Sequence, residues 1–366
     1  MLENAKITPR QFIFVLVISR IVIAITFFPV FAGPPGNQDV WISEVLSLPV
    51  HLLLTVPFYL LWKRFPKQSL FEYTQTILGR TGKAVTLLYV LYFIHELSIF
   101  LYEWCAFLTT AIMPETPVLF ILLFLFPFCA YAVLKGIEVI SRFAEFIAPL
   151  VFGGILVIFL LLAKDMDFKI FTPVMEKSMI SILAGAFVMG LRTSEIVVLA
   201  ILLPHLQLNS KKTKLVLLSG YSLIALFWLI TTISVLATLG IEFSKTLQFA
   251  YFSAVRLVNI GDFIERIESI HLSIWILSGY LRIILYFYCI LIGLSQIVGI
   301  KDYKPLVLAT LTILLPVSLS YQSNISDLNE FLSYTIVSWV NLIFIVVIPS
   351  ILLAVAFFRK LGETNA

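Results

Sequence analysis

Six ionisable residues sit deep inside stretches otherwise built for hydrocarbon. Arg20, Arg192 and Arg282 lie near the middle of apolar runs, and Glu96, Glu103 and Glu195 are the acids at comparable depth. A charge at the centre of a bilayer costs about 2.5 to 3.5 kcal/mol on insertion scales, so such residues face a protein interior or cavity and find partners. The six are therefore expected to cluster, either as a small-solute site or as a buried ion-pair network that orients a helix bundle. Glu96 and Glu103 share a helix face, Arg192 and Glu195 are spaced to pair within one helix, and Arg20 and Arg282 must look across to other helices. Glu44 and Glu145 lie closer to the ends of their runs.

Around these charges stand residues that weaken a helix. Gly185 and Gly190 precede Leu191 and Arg192, and Pro29 follows Ala24 and Thr26. A broken membrane helix exposes amide and carbonyl groups that hold the ends of a zwitterionic solute, as in transporters built from inverted repeats. Close packing at small residues accounts for the glycines equally well. The candidate ligand-binding set is thus Arg20, Ala24, Thr26, Glu96, Gly190, Arg192, Glu195 and Arg282, with His95 and Glu103 as possible proton-coupling groups. His51, His95, His205 and His271 are scattered without metal-ligand spacing, and Cys105, Cys129 and Cys289 form no cluster, so neither a metal nor a disulfide framework is expected. No phosphate loop, nucleophile elbow or triad spacing is present, so an enzyme is not expected and no cofactor is called for. Tyr59, Trp62, Trp228, Tyr321 and Trp339 read as interface or packing aromatics.

The elements that position this set follow from composition. Of 366 residues 60% are hydrophobic and 13% charged, with mean hydropathy +1.04. Soluble domains carry about 25% charged residues, so the chain reads as an all-α integral membrane protein, one polytopic domain without a cleaved signal peptide. Ten spans are predicted: Gln11–Ala32, Trp41–Leu61, Ala84–Ile112, Val118–Leu134, Phe143–Ala163, Met179–Leu203, Leu215–Leu239, Leu272–Val298, Leu306–Leu319 and Phe331–Phe358. Of the 25 Lys and Arg, three lie inside spans. Lys164, Lys169, Lys177, Lys245, Arg256 and Arg266 fall on one side and the other sixteen on the opposite side. The positive-inside rule then places both termini in the cytoplasm. Ser69 and Glu72 are spaced as a capping box for a short interfacial helix. The segment from Ile241 to Ile270, with Asp262 and Glu265 as a second cap pair after Gly261, is expected to cover an external opening.

Several runs, in order, resemble the spore-germination permease family, the polytopic B subunit of nutrient germinant receptors within the amino acid-polyamine-organocation superfamily. They are Asn37-Gln38-Asp39-Val40-Trp41-Ile42-Ser43, Met113-Pro114-Glu115-Thr116-Pro117, Gly136-Ile137-Glu138 through Arg142, Glu195, and Ile260 through Glu268. The resemblance implies a five-plus-five inverted-repeat fold, with repeats at about 10–163 and 179–358. It also implies an amino-acid-like germinant held between spans 1, 3, 6 and 8. Partners would be an A-type membrane subunit and a C-type lipoprotein in the spore inner membrane, with no nucleic acid. The family's small, glycine-containing stretch in span 1 is replaced here by Ile21-Val22-Ile23-Ala24-Ile25-Thr26-Phe27-Phe28-Pro29. A secondary transporter of an amino acid or amine, coupled to protons, is the second functional expectation.

Overall fold

The computed structural model describes residues 5–26, 33–206, 210–258, 267–321 and 334–362. The first helix, α1 (Pro9–Ala24), starts where Thr8 and Gln11 cap each other. The Thr8 hydroxyl accepts from the Gln11 amide at 3.2 Å and the Gln11 side chain accepts from the Thr8 amide at 3.1 Å. Pro9 costs nothing there, because an amide in the first turn has no helical acceptor. Helix α2 (Val40–Arg64) is followed by the short α3 (Leu70–Leu78). The expected box is present, with the Glu72 carboxylate accepting from the Ser69 amide at 2.8 Å. This helix buries Leu70, Phe71, Tyr73, Thr74 and Ile77 on one face and ends at Gly79, whose φ of +65° suits glycine.

The chain continues through α4 (Gly82–Ala111), α5 (Val118–Leu134), α6 (Ile137–Leu162), α7 (Met179–Leu191), α8 (Glu195–Leu202) and α9 (Ser210–Leu239). Two short helices, α10 (Ile241–Thr246) and α11 (Ala250–Val255), precede α12 (Glu268–Val298) and α13 (Leu306–Ser320). The last span is α14 (Tyr334–Leu342) and α15 (Ile348–Phe358), joined by a π turn over Ile343–Val347. Among the described residues the only β pairing is an isolated bridge between Ile7 and Leu206.

Each of the ten predicted stretches contains a helix among the described residues. Six are long and apolar enough to cross a bilayer, and the pair α7–α8, bent by 44°, makes a seventh. The apolar helices α5 and α13 are shorter, at 17 and 15 residues. Two expectations need correction. The helix of span 1 ends at Ala24, Ile25 and Thr26 form a turn, and the rest of the predicted span, with Pro29, lies outside the described residues. Span 6 is two helices, not one. The most enclosed span is α12, with 78% of its apolar window buried, and α1, α4, α6, α5 and α13 pack around it. Helix α2 lies against α7 and α9.

The run Asn37-Gln38-Asp39 has a structural task, which is to clasp the α6–α7 connection. Asn37 Nδ2 and Gln38 Nε2 each donate to Glu176 Oε2 at 2.9 Å, and Gln38 Nε2 also reaches the Pro173 carbonyl at 3.0 Å. The two oxygens of Asp39 accept from the amides of Met175 and Lys177, both at 2.8 Å. Met175 has φ +59°, a left-handed conformation costing an L residue about 1–2 kcal/mol that the Asp39 bonds hold in place. Asp39→Asn keeps the shape but turns one acceptor into a donor facing an amide. It is expected to lower stability by about 1–3 kcal/mol, read as a lower melting temperature in detergent and faster tryptic cleavage between Lys164 and Lys177.

At the same end of the bundle, α11 buries Tyr251 and Phe252, and Phe107 meets the rings of Phe249 and Phe252 edge-on at 4.8 and 5.1 Å. The cap pair Asp262 and Glu265 lies outside the described residues.

Candidate ligand-binding site

The break in span 6 consists of Arg192, Thr193 and Ser194. Both readings of the glycines contribute to it. A Cβ on Gly190 would stand 2.7 Å from Val50 Cγ1, and one on Gly185 would stand 2.4 Å from the Pro34 carbonyl, so both let α7 approach its neighbours closely. The helix opens just beyond them, where Thr193 and Ser194 offer hydroxyls to the local backbone and its surroundings. The Arg192 carbonyl left without a helical donor is capped by Arg20 Nη1 at 3.0 Å, across from α1. The same guanidinium lies over the Trp228 ring at 4.5 Å.

Arg282 organises the other side of the break. It forms a direct ion pair with Glu195, and its Nη2 stands 4.0 Å from Glu96 Oε2. It also donates to the Ser19 carbonyl at 2.9 Å and lies over Tyr286 at 4.4 Å and Phe100 at 5.1 Å. Ser194 and Tyr286 share a hydrogen bond of 2.7 Å beside it. The intrahelical pair expected between Arg192 and Glu195 is therefore corrected: the break puts them on different segments, and Glu195 turns to α12 instead.

These elements enclose a cavity of about 90 Å³, enough for roughly six waters or a small solute. Six of the ten candidate residues line it: Arg20, Glu96, Arg192 and Arg282, with His95 and Glu103. Glu195 sits behind Arg282, 2% exposed. Ala24, Thr26 and Gly190 do not line the cavity. At their height α1 is fixed to α12: Thr26 donates to the Val22 carbonyl and accepts from Trp275 Nε1 at 2.7 Å, and His271 Nε2 stands 3.0 Å from the Ile25 carbonyl. Gly190 faces α2.

The rest of the wall includes Trp228 from α9, Ile99 and Phe100 from α4, Gly185 and Met189 from α7, and Val337, Val340 and Asn341 from α14. Sequence reasoning missed most of these, because an apolar side chain on a mainly apolar membrane helix carries no signal of whether it faces lipid, a neighbour or a cavity. Trp228 read as a packing aromatic, whereas it lines the cavity and holds Arg20. His95 Nδ1 is 2.7 Å from the Tyr321 hydroxyl, and Asn341 accepts from Tyr92 at 2.9 Å. Among the described residues no three His, Cys, Asp or Glu side chains converge as a metal site. Three guanidinium groups and two carboxylates around a small, partly apolar space complement a compact molecule bearing both charges.

Comparison with known proteins agrees with this architecture. A family profile described as "Spore germination protein" matches residues 6–328. Spore germination protein KB of Bacillus subtilis (strain 168) is 24% identical over 98% of this chain and 96% of its own length. Spore germination protein XB of Bacillus anthracis is 24% identical over 70% of this chain and 71% of its own. Among solved structures, the substrate-bound outward-open state of a Na⁺-coupled sialic acid symporter superposes with a TM-score of 0.61. It is 13% identical and covers 96% of this chain and 78% of that one. That likeness shows the fold, an inverted-repeat transporter architecture of the LeuT type. With ten apolar stretches in order, a broken span 6 and a family match across most of its length, the chain belongs to the spore permease family of spore germination proteins.

Proposed function

We propose that this chain is the permease-like B subunit of a nutrient germinant receptor, binding a small zwitterion, an amino acid, in the cavity beside the span 6 break. The observation that carries this reading is the set of three arginines and two glutamates walling one small space. Binding would shift the packing of α1 and α7–α8 against α12, and an A-type membrane subunit and a C-type lipoprotein would receive that change. The termini would lie on the cytoplasmic or core side of the spore inner membrane, an orientation that the Lys and Arg asymmetry supports. The test is binding and flux of labelled amino acids in proteoliposomes, with and without co-expressed partner subunits. Saturable binding without net flux is expected. Glu96→Gln and Glu103→Gln should each weaken binding roughly tenfold or more at unchanged protein level, and wild-type affinity in both variants rejects the cavity as the site.

A second reading is a secondary transporter, favoured by the symporter fold and by His95 and Glu103 lying in the cavity wall as coupling groups. Concentrative uptake by the lone chain that follows an imposed pH gradient would establish it.

A further inference from the structure

On the other side of Arg20 and Trp228 lies a second, smaller cavity of about 10 Å³, bounded also by Glu44, Ser47 and His51, roughly the space of one water. Glu44 is 1% exposed. One of its oxygens accepts from the Thr232 hydroxyl of α9, and the other, Oε2, is buried with no hydrogen-bond partner. Among the described residues no Lys, Arg or His nitrogen lies within ion-pair distance of it. An isolated carboxylate taken out of water loses several kcal/mol of solvation with nothing to offset it, whereas the neutral acid loses far less.

The groups facing this cavity are Arg20 from α1 and His51 from α2; Met189 of α7 and Ile224, Ala225 and Trp228 of α9 bring no charge. Arg20 gives Nη1 to the Arg192 carbonyl and sits over the Trp228 ring, while its Nε is buried without a hydrogen-bond partner and stands outside ion-pair distance of Glu44. His51 is engaged at both ring nitrogens. Its Nδ1 lies 2.7 Å from the Ser47 carbonyl, so that nitrogen carries the hydrogen, and its Nε2 meets Thr193 of the break at 2.8 Å.

We propose that Glu44 is a proton-binding site, carrying a proton on Oε2 while α2 is packed against α9 and releasing it when that seam opens to water. The proton leaves as a hydrated ion and the carboxylate stays behind, solvated. A metal cation fits poorly, since the lining offers few oxygens and one guanidinium. Because α2 also carries His51, bonded to Thr193, movement at the Glu44 seam acts directly on the break. Arg20, Met189 and Trp228, shared by both cavities, carry the change to the ligand space. This site was not among the predicted coupling groups, and it stands whether the chain senses or transports.

The test is infrared difference spectroscopy of the purified full-length protein in nanodiscs across a pH titration. A carboxylic-acid carbonyl band is expected in the wild type, absent from Glu44→Gln and shifted in frequency in Thr232→Val, which removes the hydroxyl donor but keeps the acid. Should Glu44→Gln fail to fold, the Thr232→Val shift decides. A band that persists in Glu44→Gln, a wild type without the band, an unshifted band in Thr232→Val, or bands moved by sodium at constant pH would overturn the proposal.

Discussion

Arg282→Ala is expected to remove most folded protein from the membrane. The substitution leaves Glu195 buried without its ion-pair partner and takes away the guanidinium facing Glu96. Breaking a buried pair from one side costs about 3–5 kcal/mol, because the surviving charge stays desolvated. That is a large fraction of the stability of an ordinary domain. Replacing both partners, as Arg282→Met with Glu195→Met, removes the stranded charge and is expected to restore the folded yield to near that of the wild type. The double variant should still fail to bind ligand, because Arg282 itself lines the cavity while Glu195 does not. Size-exclusion profiles of detergent-extracted protein and a binding assay on the same samples read the two effects separately. Recovery of both yield and binding in the double variant would show that the network only orients the bundle.

Arg20 is expected to produce the next largest effect, and on affinity more than on yield. Its guanidinium does two things at once: it donates to the Arg192 carbonyl and sits over the Trp228 ring. Arg20→Met keeps the volume but orphans that carbonyl, a cost of about 1–3 kcal/mol concentrated at the break that shapes the cavity. Ligand affinity should fall at least tenfold, roughly 1.4 kcal/mol or more. Arg20→Lys keeps the charge but cannot both stack and reach the carbonyl, so partial recovery is expected. Trp228→Phe, which weakens only the ring contact, should cost about 0.5–1 kcal/mol. Isothermal binding titrations of the three variants order them; equal affinities for Arg20→Met and wild type would remove Arg20 from the site.

Much of this arrangement was legible in the residues. The ten apolar runs mark the helices, the Ser69–Glu72 spacing marks a real cap, and the depth of the charges points to one cluster. What failed shares a cause, which is that depth along a helix says nothing about rotation around it. Ala24 ends a helix buried on nearly every side and Thr26 follows it in a turn, so no polar face showed which way they point. The Arg192–Glu195 pairing assumed an unbroken helix, and the break that gives Arg192 its place in the cavity wall is what undoes the pairing. The clasp by Asn37, Gln38 and Asp39 closes on a loop more than a hundred residues away, a contact that no local pattern encodes.

The two short apolar helices α5 and α13 pack against one another on one flank. At 1.5 Å per residue they measure about 26 and 23 Å, against a hydrocarbon thickness of about 30 Å. Their outer faces are richly apolar, with Phe120, Phe124 and Leu308 each more than 60% exposed. A short span is met by local thinning of the bilayer, by snorkelling of flanking residues or by association, each at a cost of a fraction of a kcal/mol per Å. One side of the protein is thereby matched to a thinner membrane than the other, and lipid composition becomes a term in the balance between its packings.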